Sequence, residues 1–206
     1  MEKFTQKEFD NLSRNENGVK ICPYGDYTQV HFFGSWNLFG DRNLFGNQAS
    51  FGEGNTFGEG NTFGDRNSFE SKNLFGNYNS LGKQNTFGEW SLFGKRTSFG
   101  EGNTFGKQTS FREQTSFGEK TTFGEGAIWK GREFQGFFQI QHIGSRNAAL
   151  HCFLTNEGIF VETGCFCGSI YDFKDSVIQT HSGNEYERQY LKAIKLIESI
   201  FDKPVV

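Results

Sequence analysis

The sequence predicts a mainly β chain, a parallel β-helix of 18-residue triangular coils with an N-terminal cap and a C-terminal α+β module. Three observations carry that reading. Phe recurs every six residues from Phe33 to Phe123, Gly follows nearly every one of them, and aliphatic residues on the opposite strand face recur at multiples of 18. Composition agrees: the 206 residues include 26 Phe and 27 Gly but only 34% hydrophobic residues, so any core must be built largely from one side chain.

In steps of six from Phe33 the chain reads Phe33, Phe39, Phe45, Phe51, Phe57, Phe63, Phe69, Phe75, Leu81, Phe87, Phe93, Phe99, Phe105, Phe111, Phe117, Phe123 and Trp129. Gly follows each except where Glu70, Arg112 and Lys130 stand, and the residue two before the next ring is always Asn, Thr, Ser or Ala. A period of six excludes a helical heptad and marks a solenoid, whose units bury their apolar side only against their neighbours. In a hexad such as Asn55 to Gly60, an extended segment points Asn55 and Phe57 to one side and Thr56 to the other. Glu59 and Gly60 then form the corner. The aliphatic outward residues are Leu38, Leu44, Leu74, Leu92 and Ile128, and 38, 74, 92 and 128 differ by multiples of 18. Trp36 and Trp90 lie 54 apart, also a multiple of 18. Three hexads per coil follow. The repeat contains no Pro, as strands paired on both sides require.

This pattern of a small residue or Asn, any residue, Phe, Gly and two corner residues resembles the hexapeptide repeat of left-handed parallel β-helices over about residues 33–130. That family usually has Leu, Ile or Val at the inward position, where this chain has Phe. The resemblance implies three parallel strands per coil.

The flanks differ. Residues 1–32 carry Thr5-Gln6-Lys7-Glu8 ahead of Phe9 and Leu12, a capping-box pattern that predicts a short helix. Ile21 and Tyr27 keep the hexad phase. Helix and irregular first coil are expected to cover the open end of the solenoid, whose unpaired edges would otherwise invite aggregation. In residues 131–206, alternation predicts strands over 137–143, 148–154 and 159–163, joined at Gly144 to Asn147 and at Asn156 to Gly158. Ser169 to Asp172 is a second capping box opening a helix that buries Ile170, Phe173 and Val177. A second helix over about 185–201 puts Tyr186, Tyr190, Ile194, Ile197 and Phe201 on one stripe. The stretch from Gly158 through Gly168 to Tyr190 resembles a C-terminal module of uncharacterised bacteriophage and prophage proteins, which implies a mobile-element origin.

Several function classes are disfavoured. The longest apolar run is far below the ~20 residues of a membrane span, and the N-terminal residues lack a signal-peptide core. A soluble, cytoplasmic protein that binds neither membrane nor nucleic acid is expected, since a net charge of -3 with interleaved signs gives no basic footprint. Hexapeptide-repeat enzymes resembling this chain work through His residues, and none occurs between 32 and 141. Glu53, Glu59, Glu101 and Glu125 sit at corners beside Gly, where solvated turn residues are expected. His151, Cys152, Cys165 and Cys167 could form a zinc site, but the spacing lacks a ligand signature and small buried thiols explain the same residues. No catalytic residue, metal or cofactor is assigned. Ser50, Ser68, Thr86, Thr104 and Thr122 form an outward hydroxyl rank, as suits solvent-facing strands.

The sharper anomaly is apolar. Leu38, Leu74, Leu92 and Ile128 project from one face, flanked by Trp36 and Trp90, and an exposed aliphatic and aromatic stripe on a polar rod marks a contact surface. The expected function is therefore a binding or scaffold protein, self-associating as a dimer or trimer through this strip or through Leu191 and Leu196 of the last helix. Contact with another protein, such as a host defence enzyme, fits the phage resemblance. An enzyme assembled between subunits from the C-terminal His and Cys residues is the alternative.

Overall fold

The computed structural model describes residues 1–201. It divides into two compact units, residues 1–131 and residues 132 onward.

The first unit is a parallel β-solenoid. Phe57 pairs with Phe75 and Phe75 with Phe93, so neighbouring coils are 18 residues apart. Each coil contributes one short strand to each of three parallel sheets. Face I runs through Gly25–Gln29, Leu44–Phe45, Thr62–Phe63, Ser80–Leu81 and Ser98–Phe99. Face II runs through Lys20–Cys22, Asn37–Phe39, Thr56–Phe57, Leu74–Phe75, Leu92–Phe93, Ser110–Phe111 and Ile128–Trp129. Face III runs through Phe32–Gly34, Ser50–Phe51, Ser68–Phe69, Thr86–Phe87, Thr104–Phe105 and Thr122–Phe123.

Phenyl rings fill the interior in three columns. Within a column, rings of successive coils stack nearly parallel, with centroid separations from 4.3 Å for Phe33 and Phe51 to 5.6 Å for Phe99 and Phe117. Between columns the rings meet edge to face, as Phe39 and Phe45 do at 5.0 Å and 90°. Both arrangements suit the ring quadrupole. Leu81 replaces a ring in the face I column and is equally buried.

Each corner solves two backbone problems. The second corner residue adopts a left-handed conformation at every hexad from Trp36 to Gly126, and most of these positions are not glycine: Arg42, Gln48, Arg66, Lys72, Tyr78 and Gln84 all have φ between 56° and 61°. Such a conformation costs roughly 1–2 kcal/mol for a residue with a Cβ. The N–H it turns outward is answered by the next coil, as when Arg66 N–H donates to the Lys83 carbonyl at 2.8 Å. The Gly after each Phe serves close approach instead. A Cβ on Gly76 would lie 2.7 Å from the Gly58 carbonyl oxygen one coil earlier.

Buried asparagines complete the corners. The Asn61 amide nitrogen donates to the carbonyls of Gly58 and Gly40, each at 3.1 Å, while its oxygen accepts from Asn43 N–H at 2.8 Å. The same ladder links Asn37, Asn55 and Asn73 under face II and Asn67, Asn85 and Asn103 under face III. Past these residues the inward position passes to Ser91, Thr97, Thr109, Thr115 and Thr121. Each of these hydroxyls donates to the carbonyl three residues earlier.

The N-terminal residues close the first coil. Helix α1 (Gln6–Asp10) begins at a capping box between Thr5 and Glu8 and inserts Phe9, which stacks 6.2 Å above Phe39 and meets Phe33 edge-on. Gln6 bonds the exposed strand edge like a neighbouring strand: its oxygen accepts from the N–H groups of His31 and Phe32 and its nitrogen donates to the Phe32 carbonyl. Arg14 donates to the carbonyls of Gly18, Ser35 and Trp36. Lys20, largely buried, donates to the Phe9 carbonyl at 2.7 Å and lies over the Phe9 ring. These side chains stand where an open sheet edge would otherwise recruit another strand. Tyr27 keeps the inward hexad phase, but Ile21 does not. Here the coil closes in 17 residues, pairing Ile21 with Leu38 and Cys22 with Phe39, so Ile21 points out and the Cys22 thiol points in.

The second unit is an antiparallel sheet of Arg132–Ile143, Ala148–Thr155, Gly158–Thr163 and Phe166–Ser169, followed by α2 (Ile170–His181) and α3 (Glu185–Phe201). The last strand is four residues long, too short for alternation alone to mark its bounds in the sequence. Ser169 and Asp172 cap α2 reciprocally. Leu150, Cys152 and Val161 pack with Ile170, Phe173, Val177, Tyr190, Ile194 and Ile197 in one core. Among the described residues, no helix is long and apolar enough to cross a membrane.

Replacing Phe87 with Ala, in the middle of the face III column, should lower unfolding free energy by ~3–5 kcal/mol through lost burial and the cavity left behind. Replacing Asn61 with Ala should cost about 2 kcal/mol, because the Asn43 N–H loses its acceptor in the interior and the Gly40 and Gly58 carbonyls each lose one of their donors. Thr97→Asn should stabilise the chain by about 1 kcal/mol by extending the face I ladder one coil. Urea unfolding of the three variants measures all of these shifts.

Candidate functional site

The outward residues of the three faces differ sharply. Face III presents Ser50, Ser68, Thr86, Thr104 and Thr122 in register, with the Thr122 hydroxyl donating to that of Thr104 at 3.2 Å; its first rung is Phe32, which is exposed. Face I presents Asp26, Leu44, Thr62, Ser80 and Ser98. Face II presents Ile21, Leu38, Thr56, Leu74, Leu92, Ser110 and Ile128.

The strip on face II is wet. Ile21 is 60% exposed, Leu38 40% and Leu74 41%, while Leu92 and Ile128 are half-buried. At the corner leading into the face stand Trp36 and Trp90, both more than half exposed, and the Trp36 ring lies against Gly54 one coil on. At the corner leading out stands Tyr78, also more than half exposed and covered on one side by the Arg96 guanidinium, 5.5 Å from its ring centre. The parallel register thus brings Leu38, Leu74, Leu92, Ile128, Trp36 and Trp90 to one surface, as their spacing predicts. Ile21 and Tyr78 complete it. The 17-residue first coil hides Ile21 from a search at multiples of 18, whereas Tyr78 could have been found from its place four residues after Leu74.

Charges line both borders with alternating sign. Lys72 pairs with Glu53 at 2.8 Å and Lys107 with Glu125 at 3.6 Å on the leading corner, and Lys95 pairs with Glu113 at 3.0 Å on the trailing one. On the third corner Glu101 bonds Lys120 at 2.8 Å, and that bond holds its carboxyl below the usual range. These exposed pairs contribute little stability, but they neutralise the coil stack so that neither border carries a field of one sign.

In the second unit the candidate residues separate. Leu191 packs against the core, whereas Leu196 is exposed on α3 beside Ile140, Ile143 and Ala193. Leu191 and Leu196 therefore do not share a surface. His151 lies across from Glu162, and Glu162 across from Cys167, so these three share one side of the sheet. Cys152 lies on the opposite side, in the core. Cys165 lies in the turn before the last strand, so the four residues weighed as zinc ligands do not share one face, and among the described residues no group of three or more His, Cys, Asp or Glu is placed to hold a metal.

Burial pushes the Cys22 and Cys152 thiols up to about 12. A thiol held neutral in this way favours the fold below about pH 8.5, the range of a free thiol, and that contribution is lost as pH rises toward 12. Cys165 and Cys167 are exposed and not in disulfides. Native protein at pH 8 should therefore release two equivalents of colour with a thiol reagent, and all four after denaturation. Peptide mapping should place the native label at Cys165 and Cys167.

Comparison of the chain with protein families, with curated proteins and with solved structures finds no match.

Proposed function

We propose that this chain is a binding scaffold without a catalytic role, whose solenoid pairs with a second copy through face II. The observation that carries the reading is the exposed Ile21, Leu38 and Leu74 in line with Leu92 and Ile128, bordered by Trp36, Trp90 and Tyr78, on a rod whose other faces are mainly hydroxylic. Burying each exposed Leu is worth ~1.5–3 kcal/mol, and aromatic residues at the borders are the residue types that anchor interfaces.

A second copy suits this surface because its borders carry both signs of charge. A partner strip turned about a twofold axis meets no uncompensated field. At ~4.8 Å per rung the strip is roughly 30 Å long, and at about 15 Å wide it covers on the order of 450 Å² per copy. That is about half of what a stable interface buries, so the association belongs to the weak, transient class.

The phage resemblance of the C-terminal residues finds no relative to support it, and the proposal rests on the surface alone.

Sedimentation of the wild-type chain should show a monomer–dimer equilibrium between about 1 and 100 µM. Leu74→Glu with Leu92→Glu should weaken it at least tenfold while leaving the far-ultraviolet spectrum unchanged, because Leu74 is exposed and Leu92 half-buried on the outward side of the strand, away from the ring core. A wild-type chain that stays monomeric throughout overturns the proposal. So does a dimer that survives the double substitution but is lost with Leu196→Glu.

A further inference from the structure

Face II is palindromic. Its outward residues Leu38, Thr56, Leu74, Leu92, Ser110 and Ile128 run aliphatic, hydroxyl, aliphatic, aliphatic, hydroxyl, aliphatic, and so read alike from either end about the point midway between Leu74 and Leu92. A strip that meets its copy in parallel needs no such pattern, since every rung then faces itself. Only a reversed partner makes use of it.

The corner leading into the face has the same property. Its rungs are in register, because the N–H groups of Trp36, Gly54, Lys72, Trp90 and Gln108 each donate to the carbonyl of the corner one coil on. Reversed about the same point, Glu53 comes opposite the partner's Lys107 and Lys72 opposite the partner's Glu89. The exposed Trp36 indole comes opposite the partner's Gly126, which has no side chain to hold the rods apart. Each of these pairs occurs twice about a twofold axis.

Other placements fit less well. An axis on the Leu74 rung sets Lys72 against Lys72 and Glu53 against Glu89, and an axis on the Leu92 rung sets Glu53 against Glu125. Parallel rods bring leading corner against trailing corner, with Glu53 against Glu59 and large side chains against each other at Trp36 with Arg42 and Trp90 with Arg96. In the reversed register the trailing corners meet each other. Tyr78 then faces the partner's Arg96, and the one like-charge pair, Glu59 with Glu113, includes a carboxylate already met by Lys95 at 3.0 Å.

We propose that two copies of this chain pair antiparallel through face II, with Leu74 against the partner's Leu92 and Glu53 against the partner's Lys107. This assignment rests on the self-association proposed above and adds its direction and register. Within one chain Glu53 and Lys107 are three coils apart, about 14 Å along the rod, so they meet only between copies. Glu53 bonds Lys72 at 2.8 Å and Lys107 pairs with Glu125 at 3.6 Å in the same chain, and contact between copies joins these pairs into a line of alternating charge.

Sedimentation of the full chain at low salt tests the register by charge reversal. Glu53→Lys alone and Lys107→Glu alone should each weaken the dimer about tenfold, and the two together should return it to within about twofold of wild type. A second measurement needs no charge. In chains carrying Cys165→Ser and Cys167→Ser, Thr56→Cys and Ser110→Cys are made separately and treated with a bismaleimide spanning about 10 Å, the separation of packed sheets. The two variants mixed should give a crosslinked dimer, and neither should do so alone. Crosslinking of the Thr56→Cys chain to itself overturns the register and leaves the association through face II standing. So does a reversed charge pair that fails to recover in a dimer that Leu74→Glu with Leu92→Glu still dissociates. A wild-type chain that stays monomeric overturns both proposals.

Discussion

Hydrogen-bonded strands stand ~4.8 Å apart, and one aromatic ring packs comfortably on another at centroid distances from about 4.5 Å upward. The solenoid depends on the agreement of these two lengths. Because the ladder sets the rise of the coil at a distance phenyl rings accept, a single residue type can occupy every inward position without alternating large and small side chains. Three rings per coil then meet edge to face across the axis, so the interior is filled both along the rod and across it. A core with so few aliphatic residues is possible only under that match. Leu81 shows its tolerance: one rung loses its ring and the column continues on both sides.

Tight coils bring backbone close to backbone, and the rest of the repeat answers that proximity. Gly after Phe admits the neighbouring carbonyl, the left-handed corner turns the chain through the angle of the triangle, and the inward Asn satisfies polar groups that water cannot reach. The surface is what remains free to vary. There the chain collects aliphatic and aromatic residues on face II while charges of both signs pair along the corners.

Much of this was legible in the residues. Period six gave the solenoid, Leu74 and Leu92 at a separation of 18 gave the three-sided coil, and Thr5 with Glu8 and Ser169 with Asp172 marked helix starts through capping chemistry that acts within four residues. The strip on face II followed from the same arithmetic. What escaped has physical reasons. Ile21 turned outward because one coil closes a residue early, which no periodicity reports. The role of Asn61 was hidden because small polar residues suit a tight corner whether or not they bond across coils. Arg146 and Cys165 are 19 residues apart in a region without repeat, and only the hairpin geometry and the missing side chain at Gly164 bring them together.

The asparagine ladder has a direction. From Asn55 on, the amide oxygens accept the N–H of the residue 18 positions earlier, and the amide nitrogens of Asn55, Asn61, Asn73, Asn79 and Asn103 also reach back to a carbonyl of the preceding coil. A coil is therefore finished only by the arrival of its successor. For a chain made from its N-terminus, α1 and Phe9 supply the first closed surface, and each new 18-residue segment seals the one below it as it appears. Where Asn gives way to Ser91, Thr97 and Thr109, the inward side chain has one donor instead of two, and it spends that donor within its own turn. The rod thus passes from coils stitched to each other by buried side chains to coils held by strand pairing, ring stacking and exposed side-chain pairs such as Lys120 with Glu101, and opening of the solenoid should begin at its later coils.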